Sequence, residues 1–206
     1  MNLKLLAGLS AVALMAPAGA SAHFILDAPA ASLVQDQRGD PQKLGPCGGT
    51  SANPGMPSNA VTEVQGGSML RVKVRETIYH PGHYRVALAV NSIDELPEDP
   101  ETTVRVTPRG PWSVSAKIVS KPTRPILADG LFVHNERVAS GTVFETDVRI
   151  PNFDCPDCTL QVVQWMAEHG YNTDGGYTYH HCAKLKITAN PRRPVDQAWT
   201  RPLAAR

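Results

Sequence analysis

Residues 70–76 read LRVKVRE. Apolar and charged side chains alternate, with Leu70, Val72 and Val74 on one face and Arg71, Lys73 and Arg75 on the other. A period of two is that of a β-strand, and one apolar and one charged face mean a sheet packed on one side only. The same period returns along the chain. YRVALAV (84–90) gathers Tyr84, Val86, Leu88 and Val90, and VFETDVRI (143–150) gathers Phe144, Thr146, Val148 and Ile150. CTLQVVQWM (158–166) and CAKLKIT (182–188) are two more such runs, the second with Ala183, Leu185 and Ile187 together. Weaker runs lie near Val104, Val114 and Leu131. No segment of helical length carries a 3.6-residue period, and 18 prolines and 16 glycines punctuate the connections. Seven or eight short strands predict an all-β chain, an antiparallel β-sandwich of immunoglobulin or fibronectin-III type with long loops. The longest loop, Gly/Pro-rich, runs from about Gln35 to Asn59, and a loop of that length is usually functional or disordered.

The first 22 residues have the three parts of a secretory signal: MNLK with its Lys4, the apolar run LLAGLSAVALMA, and PAGASA with the A-x-A spacing of Ala20 and Ala22. The expected organisation is a signal peptide over 1–22, one sandwich domain over 23–190, and a Pro/Arg-rich, loosely held tail over 191–206. A secreted or periplasmic monomer with no membrane span follows. Twenty basic and 19 acidic residues nearly balance, so nothing points to nucleic acid. The four cysteines, Cys47, Cys155, Cys158 and Cys182, read as two disulfides in an exported chain. All three pairings stay open, and a zinc site built from CPDC and HHC is the weaker rival.

The usual catalytic signatures are missing: no G-x-S-x-G, Walker A, H-E-x-x-H or G-x-G-x-x-G occurs. Histidine placement stands out instead. Cleavage after Ala22 makes His23 the first residue; YHPGHY holds His80 and His83, and YTYHHC holds His180 and His181. An N-terminal histidine offers an amine with an ordinary pKa of about 7.7–8 and an imidazole tethered to it, which together chelate one ion. One further imidazole gives three nitrogens in a T, an arrangement suited to Cu(II).

These elements resemble a known family. A histidine directly after the leader, a second in an H-x-G-type turn entering a strand, and the closing YTYHHCAKLKIT strand are similar to the lytic polysaccharide monooxygenases, near the chitin-binding type-4 group and its bacterial polysaccharide monooxygenase-like branch. The resemblance spans roughly His23 to Thr188. It implies a histidine-brace site for one copper ion: His23 gives amine and ring, His80 is the second ligand, and His83 competes with it. It places Tyr179 at the axial side. A brace histidine needs a partner that fixes its ring tautomer; Gln161 and Gln164 are the candidates, and Tyr179 with Gln164 form the expected catalytic pair. The chain departs from the family pattern at Tyr177, where some members carry glutamine, and at Lys184. His169 lies where some members place a supporting histidine.

The resemblance implies oxidative cleavage of glycosidic bonds in a polysaccharide such as chitin or cellulose. It requires an external electron donor and oxygen or hydrogen peroxide, with Tyr79, Trp112 and Tyr171 as stacking surfaces. Tyr177 and the extra histidines also suit a second expectation, a non-catalytic copper-binding or copper-delivery protein using the same brace.

Overall fold

The computed structural model describes residues 23–201 and 203, so the expected leader and its cleavage site lie outside the described residues. Ten strands follow in order: β1 (His23–Ala28), β2 (Val61–Gln65), β3 (Met69–Ile78), β4 (Gly82–Ala89), β5 (Thr102–Thr107), β6 (Gly110–Ala116), β7 (Ile126–His134), β8 (Thr142–Arg149), β9 (Cys155–Met166) and β10 (Thr178–Thr188). A three-stranded sheet, β1-β3-β8, packs on a five-stranded sheet, β2-β10-β9-β4-β7, while β5 and β6 form a separate hairpin. The fold is the expected all-β sandwich. Its pairs are antiparallel except β2 on β10, which run parallel.

The alternation places the core. Val72 and Val74 from β3 meet Tyr84, Val86 and Leu88 from β4, Leu160 and Val162 from β9, and Ala183 and Leu185 from β10, all fully buried. Each Val or Leu so buried is worth about 1.5–3 kcal/mol. Carrying the β3 alternation one step further puts Glu76 inward as well, at 0 % exposure.

β1 is an edge strand, and the long loop after it covers that edge with side chains. The Gln35 amide bonds both ways to Leu26, accepting from its N–H at 2.8 Å and donating to its carbonyl at 3.0 Å. The Phe24 N–H donates to Gln42 Oε1 at 3.1 Å. Two glutamine amides thus stand where a neighbouring strand would. The approach requires Gly39: its φ is +100°, and a Cβ there would lie 1.9 Å from the Phe24 carbonyl oxygen. The loop is tied down by the Cys47–Cys182 disulfide, and Cys155 pairs with Cys158 across CPDC. With every cysteine bridged, no thiolate remains for zinc.

The segment after residue 190, expected to be loosely held, has contacts that its composition does not announce. The buried Asn152 side-chain amide donates to the carbonyls of Asn190, Arg193 and Pro194 at 3.0–3.2 Å. Trp199 then stacks on Phe153 and lies under the Arg124 guanidinium. Among the described residues no helix is long and apolar enough to cross a membrane.

Candidate metal centre

β1 starts at His23, opposite Ile78 of β3. The His23 ring reaches across to the edge-covering loop, where Nε2 lies 2.9 Å from Asp40 Oδ2. This hydrogen bond, more than any other contact, holds the Asp40 carboxyl below the usual carboxylate range, against the opposing effect of burial. A carboxylate only accepts, so Nε2 carries the proton, and in the neutral ring the lone pair sits on Nδ1. Nδ1 is the ring nitrogen that closes a six-membered chelate with the α-nitrogen of the same residue.

His80 precedes β4 and is 6 % exposed. Its ring meets that of His169 edge-on, with centroids 4.7 Å apart. Burial first, then the neighbouring His169 and His23, push its pKa down to about 4. The ring is therefore neutral at ordinary pH, as a metal ligand must be. Its Nδ1 is buried with no hydrogen-bond partner, a costly state unless a ligand completes it. Tyr179 on β10 is fully buried and presents its ring edge-on to His23 at 5.4 Å. His23, His80 and Tyr179 thus share one end of the sandwich.

His83 points elsewhere. It lies on the opposite face of β4 from the core residue Tyr84, with its ring 5.2 Å from Trp165 and its Nε2 3.9 Å from Asp129 Oδ1. Desolvation, the largest influence on it, lowers its pKa. His180 and His181 also have structural places. His180 bridges the Lys43 carbonyl and Asp99 Oδ1, at 3.2 and 2.7 Å. His181 donates from Nε2 to the Phe24 carbonyl at 3.1 Å.

Gln164 sits opposite Tyr179 in the β9–β10 register. Its Nε2 donates to Glu76 Oε1 at 2.6 Å, inside the core. The other Glu76 oxygen lies 3.2 Å from His134 Nε2, off-angle for a hydrogen bond. Burial pushes the His134 ring down, but Glu76 together with the Phe132 and His80 backbone groups outweighs this and raises its pKa. Gln161 faces the other way and donates to the Pro46 carbonyl at 2.9 Å. The partner of the His23 ring is therefore Asp40, which no sequence signal singled out. A cleft of about 520 Å³ beside Pro46, Glu98 and Gln161 lies on that outer face.

Among the described residues no three His, Cys, Asp or Glu side chains gather in metal-holding geometry. A brace-type set needs two imidazoles and an amine; of these the structure supplies the two imidazoles, the His23 ring oriented by Asp40 and the buried His80 ring with its Nδ1 unpartnered. If the pair of rings holds Cu(II), Asp40→Asn, which can turn an amide donor toward Nε2, should lower its affinity about 10–100-fold, the usual cost of losing a ligand's orienting partner. Competition against a copper chelator measures it, and an unchanged affinity would remove Asp40 from the site.

His181 makes the fold acid-sensitive. Its pKa falls from an unfolded 6.5 to about 4, chiefly through complete burial, opposed by the Phe24 carbonyl. Between these values the unfolded chain binds the extra proton. Stability is therefore full above pH 6.5 and falls as the pH drops toward 4, by about 3 kcal/mol at most. Denaturant titrations at pH 7 and 4.5 should show the loss, and His181→Leu should flatten the slope.

No protein-family profile matches this chain, and no curated protein matches it.

Proposed function

We propose that the chain is an exported copper-dependent oxidoreductase that cleaves a polysaccharide such as chitin or cellulose through a histidine brace. One observation carries the reading: the Asp40 carboxylate at 2.9 Å from His23 Nε2, which assigns the ring's lone pair to the chelating nitrogen. Copper held by the His23 amine, the His23 ring and His80 would supply one-electron chemistry, reduced by an external donor and turned over by oxygen or peroxide. The protein's own residues do the rest. Removal of the leader after Ala22 frees the amine. Asp40 keeps the first ring in one tautomer and orientation. Burial keeps His80 neutral and ready to ligate. Tyr179 closes the core side of His23 with an aromatic edge. Its neighbour Gln164, pinned by Glu76, holds that side in place. Tyr171, 62 % exposed, and the half-buried Trp112 offer ring faces to a sugar chain.

Copper storage or delivery by the same brace is the second reading. Tyr177, where some related enzymes carry glutamine, favours it. The extra histidines do not, since His180 and His181 are committed to Asp99 and the Phe24 carbonyl.

The test uses protein beginning at His23, loaded with one equivalent of Cu(II), with ascorbate and peroxide, on chitin and cellulose. Oxidised oligosaccharides in the mass spectrum, lost in His80→Ala, are the expected result. Tight copper binding without any oxidised product makes the protein a carrier. Failure to bind copper tightly overturns both readings.

A further inference from the structure

The β5–β6 hairpin stands outside the two packed sheets, and its tip carries a cleft. Arg105, Thr107, Pro108, Arg109 and Trp112 line a volume of about 310 Å³. Arg105 and Trp112 are cross-strand partners, so their side chains leave the hairpin on the same face. The indole lies over Gly170, where a Cβ would come within 3.3 Å of the ring. Arg105 makes a two-pronged pair with the half-exposed Glu168, at 3.2 and 2.5 Å. Arg109 has no acidic partner among the described residues. The cleft therefore presents two guanidinium groups against one carboxylate, beside an aromatic face.

We propose that this cleft is a subsite for an acidic saccharide unit, with Trp112 against the sugar ring and Arg105 and Arg109 on its carboxylate or sulfate. A guanidinium fork matches either group in two-point geometry. An indole offers the flat apolar body that a pyranose face requires. A neutral sugar would leave the Arg109 charge unused.

The hairpin also has a fixed relation to the candidate metal centre. Ser113 on β6 receives the His169 N–H at 3.0 Å and donates to the Met166 carbonyl at 2.7 Å. Its own N–H donates to the His169 carbonyl at 2.9 Å. The His169 ring in turn meets His80. A chain held at the cleft is thus anchored to the turn that flanks His80. As a binding site the cleft depends neither on the copper reading nor on chitin or cellulose being the polymer cleaved at the brace.

The test is binding of oligogalacturonate, a sulfated oligosaccharide, and neutral cello- and chito-oligosaccharides of equal length, followed by tryptophan fluorescence and calorimetry at fixed salt without copper. At least one acidic ligand should bind ~10-fold or more tightly than the neutral ones, the scale of a charged hydrogen bond. Which acidic ligand binds distinguishes carboxylate from sulfate. Arg109→Gln and Trp112→Ala should each weaken that binding about tenfold. Glu168→Gln, which releases Arg105, should strengthen it a few-fold. Arg109 lies at the hairpin turn, so its variant keeps the test sound if Trp112→Ala loosens the turn at Gly170. Neutral ligands binding as well as acidic ones would overturn the proposal. So would acidic binding indifferent to Arg109. Short polyphosphate binding equally well, with no dependence on Trp112, would reduce the cleft to a plain anion patch and overturn it too. Copper titration of the same protein is a separate measurement, so failure of this subsite and failure of the brace are told apart.

Discussion

A chain that keeps a single residue in front of His23 is expected to bind Cu(II) at least ~100-fold more weakly than one that begins at His23. The reason lies in the nitrogen itself. As an amine it has an ordinary pKa of about 7.7–8 and yields its proton to a metal at small cost. As a peptide nitrogen its lone pair is delocalised into the carbonyl, so it ligates only where the metal also displaces the amide proton, at far greater cost. The chelate then opens, and two imidazoles remain. Loss of a merely orienting partner already costs about 10–100-fold, so loss of a ligand exceeds that. The His23 ring, Asp40 and His80 are untouched by the extension, which makes it a cleaner probe than substitution of any of them. Titration of the two forms against the same chelator decides the matter, and affinities within threefold of each other would exclude the amine from the site.

Glu76→Ala is expected to destabilise the protein by about 3–5 kcal/mol, the range for removing one partner of a buried polar set. Glu76 is fully buried, receives the Gln164 amide at 2.6 Å and faces His134 at 3.2 Å. The substitution leaves the Gln164 donor without its acceptor and the His134 ring without its neighbouring carboxylate, and opens a cavity between the sheets. The nearby Tyr84 hydroxyl is itself buried without a partner. On a domain of this size the loss is a fall in Tm of about 10 °C. Glu76→Gln keeps the shape and one acceptor and should cost about 1–2 kcal/mol. A Tm within 2 °C of the parent for Glu76→Ala would mean that the network adds nothing.

Strands with one wet face were legible in the sequence, because a sheet packed on one side writes a period of two. β1 was not. His23, Phe24, Ile25 and Leu26 are all buried, since the loop with Gln35 and Gln42 covers the side that would otherwise be polar. The parallel pairing of β2 on β10 leaves no periodic trace either. At the site, His23, His80 and Tyr179 could be named because each falls in a short spaced pattern, and the structure puts them at one end of the sandwich. His83, three residues from His80, goes to the opposite face because successive strand positions point apart. Asp40 carried no signal, sitting in an aperiodic stretch whose folding depends on Gly39 and a distant disulfide. Glu76 did carry one: it occupies the inward step after Leu70, Val72 and Val74, where a charge is out of place unless something meets it.

The loop that covers β1 has a consequence for shelf life. The same segment that aims Asp40 at His23 also stops the outer backbone groups of β1 from pairing with another molecule. Opening it exposes an unprotected strand edge, the usual starting point of intermolecular β-assembly. A metal bound at His23 favours the closed loop by mass action, because Asp40 completes the site only when the loop is down. If copper binds as proposed, the copper-free protein is the form expected to aggregate on storage, and loading the metal at the start of β1 should slow that aggregation along the rest of the edge.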